Sequence, residues 1–157
     1  MHTLNHTLEK SFLQADGRYL TPQEMRSIEQ FSQSYASRLN VYQALRDNSA
    51  AFIEQALKKM GQEYPELIQK YAPRCQYDMT ETLRYISLSI LRDDEIFFKE
   101  QLMSWLDTIL LAYKRQNHCA VGYRHLQDIV TAKLPTAGAS LVRPYFEMVI
   151  TSLQSHA

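Results

Sequence analysis

No stretch of this chain sustains the apolar–polar alternation of a half-buried strand, and only four glycines and five prolines punctuate its 157 residues. Nearly all of it must find burial as helix, so the expected fold class is all-α. A short amphipathic segment over residues 3–14 carries Leu4, Leu8 and Phe12 at fourfold spacing. Ala15-Asp16-Gly17-Arg18 breaks it. Thr21-Pro22-Gln23-Glu24 then has the parts of a helix start: an N-cap threonine, a proline at the first position and a glutamate that completes a capping box. The helix it opens is expected to reach about Arg46, with Asp47-Asn48-Ser49 capping a separate helix that stops at Gly61.

Pro65 begins a short connection to Pro73, and a central helix is expected from Pro73 to Arg92. A long helix over about 95–115 follows, with Phe98, Leu102, Trp105, Leu106 and Ile109 in the i, i+3, i+4 rhythm of a core face. Gln116-Asn117 reads as a break, and two more helices are expected over 119–133 and 140–155. Pro144 then falls in a first turn, where proline is tolerated. The whole, residues 1–157, reads as one domain.

The central helix carries the most suggestive chemistry. Cys75, Asp78 and Thr82 lie at i, i+3 and i+7, so a helix sets all three on one face. With Pro73 at the helix start, the Cys75 thiol would sit in the first turn beside Arg74, where dipole and charge both favour thiolate. That suits a covalently held ligand, with Asp78 accepting from its N–H groups. The plain alternative is a buried cysteine next to a solvated aspartate.

Charge and composition exclude several functions. Lys+Arg and Asp+Glu both number 17, so no one-signed field draws nucleic acid or an anionic membrane, and no apolar run is long enough to span one. Cys75 and Cys119 make neither a disulfide framework nor a CxxC metal site, and with no apolar leader they fit a reducing, cytoplasmic setting. There is no phosphate-cradling glycine loop, HExxH or nucleophile elbow, so no enzyme is expected. His118-Cys119 adjoin in sequence, which on a helix points them in different directions.

Seven or eight helices, with a long pair near the start and a pocket helix mid-chain, suggest globin-like packing with an N-terminal helical extension. Particular residues sharpen this. Arg18-Tyr19-Leu20-Thr21-Pro22 followed by Glu24 resembles the RYL(S/T)P-x-E segment of phycobiliproteins, the light-harvesting subunits of the phycobilisome. Leu45-Arg46-Asp47-Asn48 is similar to the family's L-x-D-N, and Tyr64-Pro65 to its Y/R-P step. Cys75, Asp78 and Leu83-Arg84-Tyr85 fall in the register of C-x-R-D-L-D-Y-Y-L-R-Y. Asp94 fits the end of the family's A-G-D turn, and Tyr113 the tyrosine that closes the next helix.

The resemblance implies a linear tetrapyrrole of the phycocyanobilin type, tethered by a thioether at Cys75. Asp78 would accept from the inner pyrrole N–H groups, with Arg74, Tyr77, Thr82 and Tyr113 along the pocket. It also implies docking of a second phycobiliprotein-like subunit, self or different, through the N-terminal helices, with Asp16, Tyr19 and Arg84 at that surface. A cytoplasmic place, free or at the periphery of photosynthetic membranes, goes with it.

The departures are as specific. Tyr77 stands where the family has a propionate-clamping arginine, the lead-in before the cysteine is shorter, and Arg92-Asp93 replaces the A-G of the turn. They fit a bilin held loosely or transiently, and a role in bilin handling or phycobilisome assembly as well as light harvesting. Two alternatives stand beside it. One is a pigment-free interaction module on the same fold. The other is a haem globin, which lacks a histidine over 95–115 and would have to use His118 or His125.

Overall fold

The computed structural model describes residues 4–113 and 116–155, and the side chains of 110–116 are outside that description. Among the described residues there is no strand, and no helix is long and apolar enough to cross a membrane. The architecture is all-α and globin-like with an N-terminal helical extension, α1 (His6–Gln14).

Helix α2 (Pro22–Glu63) opens on the expected capping box, Thr21 Oγ1 accepting from Glu24 N–H and Glu24 returning the bond to Thr21 N–H at 2.7 Å. It then runs unbroken for 42 residues, which corrects the expected stop at Arg46. Asp47 and Asn48 carry cap-type side chains, but they spend them along the helix. Asn48 donates to Ala44 O at 2.8 Å and Asp47 pairs with Arg46 at 2.7 Å. Leu45, Phe52 and Ile53 on either side are buried, and that packing outweighs the local capping preference.

Helix α3 (Pro65–Arg92) passes straight through Pro73, which deletes one backbone bond without ending the helix. Cys75 is therefore the eleventh residue of α3, roughly 15 Å from its start. The helix dipole acts only over the first turn, so the expected dipole activation of the thiol does not hold. The predicted helix over 95–115 is also divided, into α4 (Glu95–Phe98), a π-helical stretch at Lys99–Met103 and α5 (Ser104–Tyr113). The wider turn keeps Phe98, Leu102 and Leu106 all inward, each at most 1% exposed. Helices α6 (Gln116–Lys133) and α7 (Thr136–Ser155) complete the chain, so Gln116-Asn117 begins a helix and Pro144 is an interior residue of α7.

Helix α2 lies against α3 and is crossed by α6, which also packs on α7. Leu83, Ile86, Phe98, Leu126, Val142, Phe146 and Ile150 fill the centre.

The extension is held by its first residues. Asn5 caps α1 through Leu8 N–H at 2.9 Å, and its amide donates to Arg92 O and Asp93 O at 3.0 and 2.6 Å. Asp94, 4% exposed, accepts from His6 N–H and pairs with the His6 ring at 2.6 Å. Burial alone would push the Asp94 carboxyl up, but hydrogen bonds from the His6 ring, Phe97 N–H and His6 N–H outweigh it and hold the carboxyl below its usual range. A depressed carboxyl stabilises the fold above its ordinary range and loses that contribution as pH falls through the folded value. Asp94→Ala is expected to cost about 2 kcal/mol at pH 7, read from urea denaturation, and the gap from wild type should close in acid. An unchanged gap down to pH 2 would contradict this coupling.

Candidate functional site

A cavity of about 80 Å³ lies between the end of α2, the first half of α3 and the start of α6. Helix α3 gives it Tyr71, Arg74, Cys75 and Asp78, and α6 gives His118, Cys119 and Tyr123. Met60 and Met79 meet at its floor over Gly122, where an added Cβ would stand 2.9 Å from Met79 Cε and 3.4 Å from Met60 Sδ. The glycine lets α6 approach that closely.

Cys75 and Asp78 share a face one turn apart, as their spacing predicted, and both border the cavity. Asp78 is mostly withdrawn from water, its side chain 15% exposed. Arg74 Nε sits 3.1 Å from both carboxylate oxygens, at an angle that makes a hydrogen bond to Oδ2. Oδ1 is buried and receives no hydrogen bond among the described residues. Burial raises the Asp78 carboxyl above its usual range, and the charge and hydrogen bond of Arg74 offset only part of that. A buried acceptor left this way costs free energy until a donor reaches it.

Thr82, the third residue of that face, is fully buried and shares a 2.9 Å hydrogen bond with the Tyr123 hydroxyl. It braces the cavity wall from behind and does not line it. Burial holds the Tyr123 phenol well above its usual range, so it is neutral at any working pH. Tyr77 is placed elsewhere than expected. It is 55% exposed and borders a separate surface groove with Glu81, Tyr85 and Trp105. Two residues along a helix turn a side chain by about 200°, which carries Tyr77 off the Cys75 face. Tyr113 closes α5, but its side chain lies outside those described.

Arg74 is at the rim, paired with Asp78. Of the surface residues, Tyr19 is 98% exposed and Asp16 is exposed in the turn after α1. Arg84 pairs with Glu81 at 2.5 Å and stacks over the Tyr85 ring.

Cys119 was not expected to share the site and His118 was weighed only as a haem ligand, yet both border it. The available signal was the i, i+4 relation of Cys119 to Tyr123. His118 meets the edge of the Tyr64 ring at 4.7 Å, whereas His125 pairs with Glu63 at 2.8 Å outside the cavity. Among the described residues no cluster of three metal-ligating side chains occurs.

The site thus offers a sulfur nucleophile, a carboxylate oxygen with an unfilled acceptor position and apolar walls. This donor set fits a flat conjugated molecule with N–H groups and an electrophilic carbon. Asp78→Asn removes the buried charge. Because the folded-state carboxyl is raised, that charge destabilises the empty protein increasingly as pH rises through the carboxylate range. Asp78→Asn should therefore stabilise the empty protein at pH 7 while weakening retention of an N–H ligand about 10–100-fold, in titration and thermal-melt measurements. A variant less stable when empty would contradict this account of Asp78.

Comparison with known proteins shows the family to which the chain belongs. Residues 11–153 match the family model described as phycobilisome protein. The allophycocyanin alpha chain 2 of Microchaete diplosiphon is 31% identical, the match covering 94% of this chain and 98% of that protein. A putative allophycocyanin subunit alpha 2 from a Nostoc strain is 28% identical over 92% of this chain and 97% of its own, and the allophycocyanin alpha chain of Cyanidium caldarium is 27% identical over the same shares. With a family model spanning nearly all of the chain and relatives aligned end to end, this protein belongs to the phycobilisome protein family, as a divergent member.

Proposed function

We propose that this protein binds a linear tetrapyrrole of the phycocyanobilin type, joined by a thioether at Cys75. The observation that carries the reading is the buried Asp78 Oδ1, without a hydrogen bond, one helical turn from the Cys75 thiol in the same cavity. Inner pyrrole N–H groups are donors of the kind that oxygen lacks, and a carboxylate beside a protonated conjugated ligand satisfies both charges. When bound, the pigment supplies visible absorption. The protein's part is to tether it through Cys75, orient it through Asp78 and exclude water with Met60, Met79 and Tyr123.

An 80 Å³ cavity holds about one pyrrole ring or a few waters. Seating the whole ligand needs the flexible tips of Met60 and Met79 to move. Of the described lysines and arginines, only Arg74 lines the cavity as a propionate partner, and it already serves Asp78. A lightly clamped ligand suits bilin handling or phycobilisome assembly better than a fixed antenna position. The relatives are named allophycocyanin alpha chains, and a second subunit of that kind is the partner expected here. The surface for it is α1 and the start of α2, where Phe12, Leu13, Tyr19 and Met25 are exposed. The protein acts as a pigment carrier with no catalytic step of its own, in the cytoplasm or at the face of a photosynthetic membrane.

Expression together with a phycocyanobilin-forming pathway tests this. The expected product is coloured, with near one pigment per chain that persists in acidic urea. A colourless, folded product overturns the reading and leaves a pigment-free module. A Soret band on mixing with haemin, absent from the pigment co-expression product, would favour a haem site at His118.

A further inference from the structure

The same cavity carries a second thiol that a single tether does not use. Cys119 is half-buried on the α6 side, opposite Cys75 on the α3 side. At this level α6 rests mainly on α2 and α7, and it meets α3 chiefly through side chains such as Tyr123 against Thr82. Neither cysteine is in a disulfide, and both border the same cavity. Both sulfurs therefore face a common guest.

We propose that this is a two-thiol site, in which Cys119 is a second sulfur nucleophile adding reversibly to the conjugated tetrapyrrole that Cys75 tethers. The inference rests on the pigment reading for the identity of the guest. The step is an addition: the Cys119 sulfur forms a bond to a methine-bridge carbon, the carbon–carbon π bond there breaks, and its electron pair moves through the conjugated system to a ring nitrogen. The pair cancels the cation of the protonated pigment, whose ring nitrogens already carry hydrogen, and the thiol proton passes to the Asp78 carboxylate in the same cavity. No oxidant or reductant is consumed. Conjugation is cut at the bridge, so the adduct absorbs at shorter wavelength than the singly tethered pigment. The apolar lining, with Met60 and Met79 against the guest, favours the neutral adduct.

Two measurements on the full chain test it. Dibromobimane reacts with two nearby thiols, forming two C–S bonds and releasing two bromides, and fluoresces only when both arms have reacted. The wild type should become fluorescent at one probe per chain, and Cys75→Ser and Cys119→Ser should each stay dark. In the pigment-loaded protein, a short-wavelength band should be present and should be lost in Cys119→Ser while the Cys75 thioether remains. Iodoacetamide labelling of Cys119 should also be lost in the fraction carrying that band.

Pigment on Cys75 with identical spectra in wild type and Cys119→Ser, and Cys119 still fully labelled by iodoacetamide in the pigment-loaded wild type, overturns the second-nucleophile role. A dark wild type with dibromobimane overturns the two-thiol geometry. Bimane bridging with no pigment attached in any variant sinks the pigment reading instead, and leaves the paired thiols as a site for another electrophile.

Discussion

Cys75→Ala is expected to leave a folded protein from which all pigment is lost on denaturation, against near one pigment per chain for wild type. The thiol borders the cavity half-buried, so shortening it by one atom changes stability by no more than about 1 kcal/mol. The covalent bond, in contrast, is all or none. Asp78, Met79 and Tyr123 remain in Cys75→Ala and can still hold the ligand weakly, so a washable colour is the expected residue. Pigment that stays bound to Cys75→Ala through acidic urea would place the tether elsewhere. Cys119 is the first position to examine in that event.

The largest loss of stability is expected from Arg38→Ala, about 3 kcal/mol, seen as a lower urea midpoint. Arg38 is 2% exposed on α2, and its guanidinium donates to Leu91 O, to Phe31 O at 2.6 Å and, through Nε, to Ser34 Oγ at 3.0 Å. It also lies 4.3 Å over the Phe31 ring. Burial pushes its pKa down and the Asp93 carboxylate opposes that. It remains a cation, because arginine does not lose its proton in proteins.

The Leu91 bond matters most. The last carbonyls of α3 each need a donor, and Asp94 N–H serves Ser89, Asp93 N–H serves Ile90 and Asn5 serves Arg92. Arg38 serves Leu91, so its loss strands a carbonyl and opens a cavity at once. Arg38→Met restores the stem without the donors. It should recover less than half of the deficit if hydrogen bonding dominates, and most of it if packing does.

Arg38 also marks where the sequence stops being legible. Its partner lies 53 residues away, and nothing in local spacing singles out one arginine of α2 from its neighbours. The π-helical stretch at Lys99–Met103 is hidden for a related reason. The i, i+4 pattern of Phe98, Leu102 and Leu106 fits an ordinary helix equally well.

Local chemistry misled in two places. Asp47-Asn48-Ser49 and Pro73 read as boundaries, but α2 and α3 run through them; buried residues flank the first on both sides, while Pro73 is preceded by half-buried ones and followed by the buried face from Met79 on. The second error has a functional consequence, since it removes the dipole from the account of Cys75. What remained readable was what depends on short range alone: the Thr21 capping box, the helical class, and the shared face of Cys75 and Asp78. The turn of Tyr77 away from the cavity was implicit in that same helical spacing. The arrival of His118 and Cys119 on the opposite wall required the crossing of α6 over α2, which no spacing within either helix encodes.

The most direct test is the mass of the peptide that contains Cys75, taken from protein made in the presence of phycocyanobilin. The account predicts that peptide heavier by one intact tetrapyrrole, with the modification localised to the cysteine. An unmodified Cys75 peptide from fully loaded, folded protein would contradict it.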